Sequence, residues 1–594
     1  MKRILVLALA VASAMCIGCN RPKDGEYTLN LLTTNDVHGT WFSESYGDGN
    51  PKRSLFAVNS IVSRFRDSVG AENVILVDAG DCLQGDNAAY YFNFVDTASA
   101  HLFPRLASYM KYDAVCVGNH DIETGHSVYD RVRAELEASG IPFLGGNAIK
   151  NTSKVSAEKS AMGDYPFKDR YFQTYRIIRR GGLKVAVLGY TNPNMKAWLM
   201  EDIWSGMTFV NLIPLVQKDV DKVREKEKPQ VVIVAVHSGT GEGNGESLES
   251  QGLDLLSTLK GVDFLVCSHD HRPFVAEKDS ICLINSGSHA RNVGHGSITL
   301  TIKDGKVVSK SLHAENIKVN AENIDTAMRD FFQEDFLKVR EFTLSEVGKL
   351  KKEIRTRDAL CGMSDYINLV HTLGFYATDA RISIAAPLTY NKTIEAGTLN
   401  FNDLFTFYPY ENQLFTIKLT GSQIRNYLEQ SYDGWITSED PEHVLKIQQR
   451  DDPRNSQKVW SFMNRSYNFD SAAGICYTVD VTKPLGQRIE ITSMADGTPF
   501  DTLGTYKVAM TSYRASGGGD LLKKSGVDPD GIDSLIVDRN EEYRKILYRY
   551  LKEKGSIDPD SIGRKEIIGH WEFIPSNKAR KLLDKDMRLL FGEE

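Results

Sequence analysis

The stretch "TTNDVHGT", residues 33–40, places Asp36 and His38 two positions apart and stops at Gly39. "YTLNLL" just before it is apolar and β-prone. Side chains two apart on a strand share a face, so Asp36 and His38 are expected to point the same way from a strand end. Gly39 lets the chain turn there. A carboxylate and an imidazole on one face form half of a metal site. A hydrogen-bonded Asp–His pair closing a strand is the plainer alternative, and this stretch by itself leaves both open.

Four further apolar runs end in the same residue types. "LVDAGDCLQG" carries Asp81, "CVGNHDIETG" carries Asn119 and His120, "VAVHSG" carries His237, and "CSHDH" carries His269 and His271. One such ending is a satisfied polar residue more often than a ligand. Five together, all on apolar strand ends, point to a dinuclear metal centre, since ligands in layered α/β proteins gather where strands give way to loops. The donors are carboxylate, imidazole and one amide, without thiolate. That set suits two divalent ions of Mn, Zn, Co or Fe better than Ca or a structural zinc. Two divalent ions against the carboxylates of Asp36 and Asp81 leave a net charge of about +2, which favours an anionic substrate such as a phosphate ester. Asp81, at the central strand end, is the best placed to be shared. Cys82 would point away from it and reads as packing.

The elements that must position these residues alternate. Strands are expected over 73–80, 112–119, 183–190, 230–239 and 262–270, with amphipathic stretches such as "SVYDRVRAELEAS" between them. Several strands are apolar throughout, as in a sheet covered on both faces. "ICLINSG" and "GSITLTI" look like hairpin elements, which makes the sheets mixed. A charged, helix-prone segment at 322–345 reads as a connecting helix, and a second α/β region follows it.

The chain has 594 residues and a net charge of 71 − 78 = −7, with no long basic stripe, so binding to a nucleic-acid polymer is not expected. Lys2 and Arg3 precede an apolar run that ends in "CIGC", which is too short for a comfortable membrane span and reads as an export signal. A small residue before Cys19 resembles a lipoprotein cleavage box, although Cys16 stands where a leucine is usual; an ordinary cleaved signal peptide is the alternative. Six cysteines remain outside this leader, none in a CxxC pair, and the exported compartment permits disulfides that the sequence does not assign.

The ordered set "TNDVHG", "GDCLQG", "GNHDIETG", "VHSG" and "SHDHRP" resembles the calcineurin-like metallophosphoesterases, and within them the bacterial 5′-nucleotidase and 2′,3′-cyclic-nucleotide phosphodiesterase family. The resemblance implies an αββα-layered metallophosphoesterase domain with mixed sheets over residues 26–321. A linker helix at 322–345 would join it to a C-terminal α/β substrate-binding domain at 346–594, and residues 1–19 would be a lipoprotein-type signal peptide. It also implies ligand roles: Asp36, His38 and His271 for one ion, Asn119, His237 and His269 for the other, and Asp81 bridging. His120 would lie near the scissile phosphate without being a ligand, stabilising charge or protonating the leaving oxygen. Its partner is Glu123, where the family often has an aspartate. His126, His289 and His295 match no ligand position and read as structural or solvent-facing. The ions would acidify a bound water, and the resulting hydroxide would attack phosphorus in line.

In the second half, the tyrosines of "FTFYPYENQLF" and "TSYRASGGGD" are ordinary packing residues by themselves. The resemblance makes Tyr410 and Tyr513 a sandwich for a nucleobase, with Asn412 and Asp520 adding polar contacts. Stacking on flat faces tolerates base identity. The implied activity is an exported nucleotide phosphohydrolase in the periplasm or at the cell surface, touching the membrane only through a lipid on Cys19. Three rivals remain: a broad phosphodiesterase, a thiosulfohydrolase-like relative, and a non-catalytic surface lipoprotein. After "ATDARIS" the chain reads "IAAPLTYN", where the 5′-nucleotidase branch commonly carries "NGGGIR". That segment resembles the 2′,3′-cyclic phosphodiesterase/3′-nucleotidase branch and implies a preference for 2′,3′-cyclic and 3′-nucleotides over 5′-nucleotides. Arg355 and Arg357 remain as possible anion contacts.

Overall fold

The computed structural model describes residues 22–410, 412–451, 457–528 and 531–592. The leader and Cys19 lie outside these residues. The chain divides into two compact units, one ending at Arg340 and the other beginning at Glu341. Among the described residues no helix is long and apolar enough to cross a membrane, and all six cysteines are free.

Two six-stranded sheets build the first unit. In one, the order is Lys306–Lys318, Asn292–Lys303, Gly25–Thr34, Val74–Asp78, Ala114–Cys116, Phe143–Leu144. In the other it is Phe274–Lys278, Ile281–Asn285, Phe264–Val266, Val231–Val236, Leu183–Tyr190, Tyr175–Arg180. Both sheets are mixed: Gly25–Thr34 runs parallel to Val74–Asp78 and antiparallel to Asn292–Lys303. Strand alternation explains the layering. Ile75 and Val77 face a core shared with Val231, Ile233 and Ala235 of the other sheet, so the sheets pack face to face. Val74 and Leu76 face outward onto the helices Leu55–Val69 and Leu102–Met110. Val232, Val234 and Val236 face outward onto Leu212–Glu227 and Gly252–Thr258. Strands buried on both sides are apolar throughout for this reason, and the result is the expected αββα stack.

The central strands are shorter than their apolar runs. Val74–Asp78, Ala114–Cys116 and Phe264–Val266 each stop before the residue that carries chemistry. Residues after 322 form the helices Thr326–Phe331 and Gln333–Thr343. Phe332, between the two helices, and Phe336 of the second pack with Phe56 and Phe42, and Arg105 forks onto Asp335 at 2.8 and 2.9 Å.

The second unit is also α/β. A five-stranded sheet, ordered Ser471–Ala473, Ile382–Ala385, Thr505–Thr511, Gln413–Thr420, Ile536–Glu542, carries the helices Asp365–Ala377 and Gly421–Trp435. The second helix starts at a capping box in which Thr420 and Gln423 satisfy each other's backbone donors. Its last turn puts Tyr432 and Trp435 into an aromatic core with Phe469, Trp571 and Phe573.

Candidate metal centre

The expectation that Asp36 and His38 share the face of a strand is corrected by the structure. The strand ends at Thr34, and both residues lie beyond it with φ of 49° and 50°. Their alignment comes from pairing between loops: Asp36 N donates to Gly80 O, His38 N to Asp81 O and Gly39 N to Cys82 O, at 2.9, 2.9 and 3.1 Å. Asp81, His269 and His271 are likewise left-handed, at 61°, 71° and 58°. This conformation is costly for a side chain with a Cβ, and such outliers cluster at functional sites. Here they turn five of the expected ligands into one space.

Asp36, His38 and His271 bring their donor atoms within 4.8 Å of one another, and so do Asp81, His237 and His269. In the first group His38 Nε2 faces His271 Nε2 at 2.9 Å, and His271 Nε2 lies 3.6 Å from Asp36 Oδ1. In the second, His237 Nε2 lies 3.1 Å from Asp81 Oδ2, and Asn119 Oδ1 lies 3.0 Å from His237 Nε2 and 2.9 Å from His269 Nδ1. Asp81 Oδ2 is buried without a hydrogen bond of acceptable geometry. A buried orphan oxygen and imidazole nitrogens facing one another are what a cation would satisfy, so these residues fit divalent metals.

The bare pocket holds its titratable groups far from their ordinary values. Burial pushes the Asp36 carboxyl up to about 8, with Asp81 adding to it against His237. Against the cost of burial, His237 and His120 hold Asp81 well below the usual carboxylate range, and Asp81 in turn lifts His237 to about 9. Burial drives His38 well below the ordinary histidine value and His271 to about 3. Neutral imidazoles and ionised carboxylates are the metal-binding forms, so His38, His271 and Asp81 already hold them, while Asp36 and His237 must each give up a proton for a cation to bind.

His120 sits at the edge of these groups. Its N–H donates to Asp81 Oδ1 at 2.9 Å, and its ring lies 5.4 Å from that of His38. Its Nδ1 is 2.7 Å from Glu123 Oε2, and Gln84 Nε2 donates to the same oxygen at 3.1 Å. Glu123 therefore spans the distance that a shorter aspartate would have to cover.

Four residues escaped the sequence reading. Asp121 collects the N–H groups of Asp81, Cys82, Leu83 and Gly118 at 2.7–3.0 Å, locking two ligand loops together. Glu249 holds His269 Nε2 at 2.8 Å, leaving Nδ1 toward Asn119, and Trp198 stacks on the same ring at 5.3 Å. Such outer partners orient ligand histidines. His289, read as structural or solvent-facing, packs against His38 and His271 at 5.1 and 5.9 Å between centroids. Only the proximity of "GSHARN" to the end of an apolar run hinted at it, and Asp121 and Glu249 carry no distinguishing signal at all. His126 and His295 are hydrogen-bonded to Asp130 and Asn30. Cys82 lies past the strand in a loop, buried, with its Sγ 3.1 Å from Asp78 Oδ1.

The loops tolerate no added bulk. A Cβ at Gly118 would overlap Asp81 Oδ1 and N. Gly118→Ala is expected to fold but to displace Asp81, lowering kcat roughly 100-fold, the cost of an ångström-scale misplacement. Unchanged kcat in a variant with a wild-type melting curve would show that Asp81 is not held as described.

In the second unit, Tyr410 and Tyr513 are 47 % and 44 % exposed, whereas Tyr408 is buried and stacked on Tyr543 at 4.7 Å. Asn412 accepts from Tyr543 N through its carbonyl, and Asp520 is exposed with φ 60°. Arg355 lies 3.4 Å from Asp358, and Arg357 packs over Phe591.

Comparison with known proteins matches residues 29–273 to the calcineurin-like phosphoesterase family and residues 346–524 to the 5′-nucleotidase C-terminal domain. A 2′,3′-cyclic-nucleotide 2′-phosphodiesterase/3′-nucleotidase of Yersinia enterocolitica is 22 % identical over 94 % of this chain and 91 % of its own length. The trifunctional nucleotide phosphoesterase of Bacillus subtilis is 23 % identical over 89 % of this chain, which spans 38 % of that longer protein. The structure of a candidate 5′-nucleotidase of Staphylococcus aureus superposes with a TM-score of 0.70 at 18 % identity, covering 92 % of this chain and 99 % of that one, a likeness of fold.

Proposed function

We propose that this chain, a calcineurin-like phosphoesterase carrying a 5′-nucleotidase C-terminal domain, is an exported two-cation hydrolase of nucleotide phosphate esters that prefers 2′,3′-cyclic and 3′-nucleotides. The observation that supports the reading is the pair of ligand-type groups, Asp36–His38–His271 and Asp81–His237–His269, with the His120–Glu123 pair tied to Asp81 through the His120 backbone N–H. Asp36, His38 and His271 would hold one cation, Asn119, His237 and His269 the other, and Asp81 would bridge them. When bound, such cations supply Lewis acidity that makes water nucleophilic near neutral pH and offsets charge on the phosphoryl oxygens.

The chain's own residues supply the rest. Glu123, fixed by Gln84, sets the orientation and tautomer of His120, whose Nε2 edge would meet the phosphoryl group. From there His120 stabilises negative charge and passes a proton to the departing ribose oxygen. Asp121 keeps the loops of Asp81 and Asn119 fixed while this happens. Tyr410 and Tyr513 grip the base, with Asn412 and Asp520 on its polar edge. The leader before residue 20 supports export, and its Cys19 would carry the lipid.

The ester preference rests on the missing "NGGGIR" arginine. Loss of a bidentate contact weakens a dianionic 5′-phosphate more than a monoanionic cyclic diester. Catalytic efficiency measured on 2′,3′-cyclic AMP, 3′-AMP and 5′-AMP with one metal-loaded preparation is expected to be highest for the first two. A clear preference for 5′-AMP would overturn the branch and leave the two-cation chemistry standing.

A further inference from the structure

Tyr467 is exposed by 39 %, yet the backbone beside it is anchored firmly. Two residues on, Phe469 is buried and stacked on Trp435 at 5.4 Å with the rings nearly parallel. Asp470, also buried, receives Arg514 Nε at 2.7 Å and the Tyr427 hydroxyl at 3.1 Å. Arg514 itself is 2 % exposed and spends its remaining donors on three separate places. It donates to Tyr467 O, Asn468 Oδ1 and Gly518 O, each at 2.9 Å. Its guanidinium also lies 5.1 Å from the ring centroid of its neighbour Tyr513.

One buried cation thus fixes the segment of Tyr467, the residue Tyr513 and the glycine loop against which Tyr513 rests. Tyr410 belongs to the same neighbourhood: its phenol is pushed up by burial and then by Tyr467, against the pull of Arg465. A core arginine is normally matched by its acid. Here the Asp470 pair leaves a fork of donors whose acceptors all belong to segments that carry or support exposed aromatic rings. Rings held on an anchored backbone lose little freedom when a ligand stacks on them.

We propose that Tyr467 is a third aromatic wall of the nucleobase subsite, and that Arg514 is the positioning residue that holds it in register with Tyr513. This rests on the reading that Tyr410 and Tyr513 grip the nucleoside. The ligand class is a flat heteroaromatic base, bound by stacking and not by its phosphate.

The test uses adenosine as a competitive inhibitor of the full-length, metal-loaded enzyme, with glycerol 2-phosphate, which carries no flat ring, as the reporter substrate followed by phosphate release. Tyr467→Ala is expected to raise the inhibition constant of adenosine by about 5- to 150-fold, the range for loss of one stacking face. The reporter's own kcat and KM should stay unchanged, and Tyr467→Phe should restore adenosine binding. Arg514→Lys, which keeps the charge but loses the fork, should raise the same constant with the reporter kcat unchanged. If Tyr467→Ala leaves adenosine binding intact while Tyr410→Ala weakens it, the third wall is wrong and the nucleoside grip stands. If neither Tyr410→Ala nor Tyr513→Ala moves adenosine binding, the grip itself fails. Equal loss of reporter turnover and adenosine binding in a folded Tyr467→Ala protein would show a structural role and overturn the proposal. Should Arg514→Lys fail to fold, the Tyr467 variants still decide.

Discussion

Exhaustive chelation is expected to abolish turnover, and Mn²⁺ or Co²⁺ should restore it. The reason is electrostatic. Asp36 and Asp81 are both fully buried, and His38 and His271 turn their Nε2 atoms toward each other at 2.9 Å. With cations absent, burial penalises Asp36 and drives His271 to about 3, so the donors stand unsatisfied. The same removal should lower thermal stability, since saturation at a thousand times the dissociation constant stabilises the folded state by about 4 kcal/mol. A stripped protein that keeps turning over would remove metal from the chemistry.

Replacing His120 with Ala is expected to lower kcat by roughly 10²- to 10⁴-fold, the usual range for a positioned acid or base. The bound ions should remain, because the donor groups of both clusters come from other residues. Glu123→Gln should give a smaller loss in the same direction, since the amide oxygen can still meet Nδ1 while the charge is gone. If His120→Ala released an ion, His120 would be a ligand, and the division of labour drawn here would be wrong.

Much of this site is legible in the chain, because five apolar runs that all end in Asp, His or Asn point together to a shared ligand set, although any one of them would not. The runs through Val77, Val234 and Leu265 announce strands buried on both faces, and the chemistry does follow them. What the chain hides is how the ends turn. Alternation along a strand explains Ile75 and Val77 but not Asp36 and His38, which owe their alignment to left-handed backbone and to a ladder between two loops. Composition does not reveal which non-glycine residue will be forced to positive φ, since the surrounding contacts impose it.

Asp121 is hidden for a related reason. A carboxylate that collects backbone N–H groups is specified by where four amides converge, and no residue type signals that. Glu249 lies in a glycine- and serine-rich loop that reads as solvent-exposed. Tyr408 and Tyr410 stand two apart in one motif and look alike in sequence; burial alone makes the first a packing residue and leaves the second open. Tyr467 and Arg514 carry no motif, and their connection appears only when Asp470 brings the two segments together.

The most direct measurement is elemental analysis of the active protein, the count of divalent ions per chain, made on the wild type and on His271→Ala. His271 is the most exposed of the expected ligands, so its loss disturbs the fold least. Two ions per chain in the wild type, falling to about one in His271→Ala with a matching loss of turnover, is the expected result. One ion or none in fully active wild type, or two ions retained in His271→Ala, would contradict a two-cation phosphohydrolase built around Asp81.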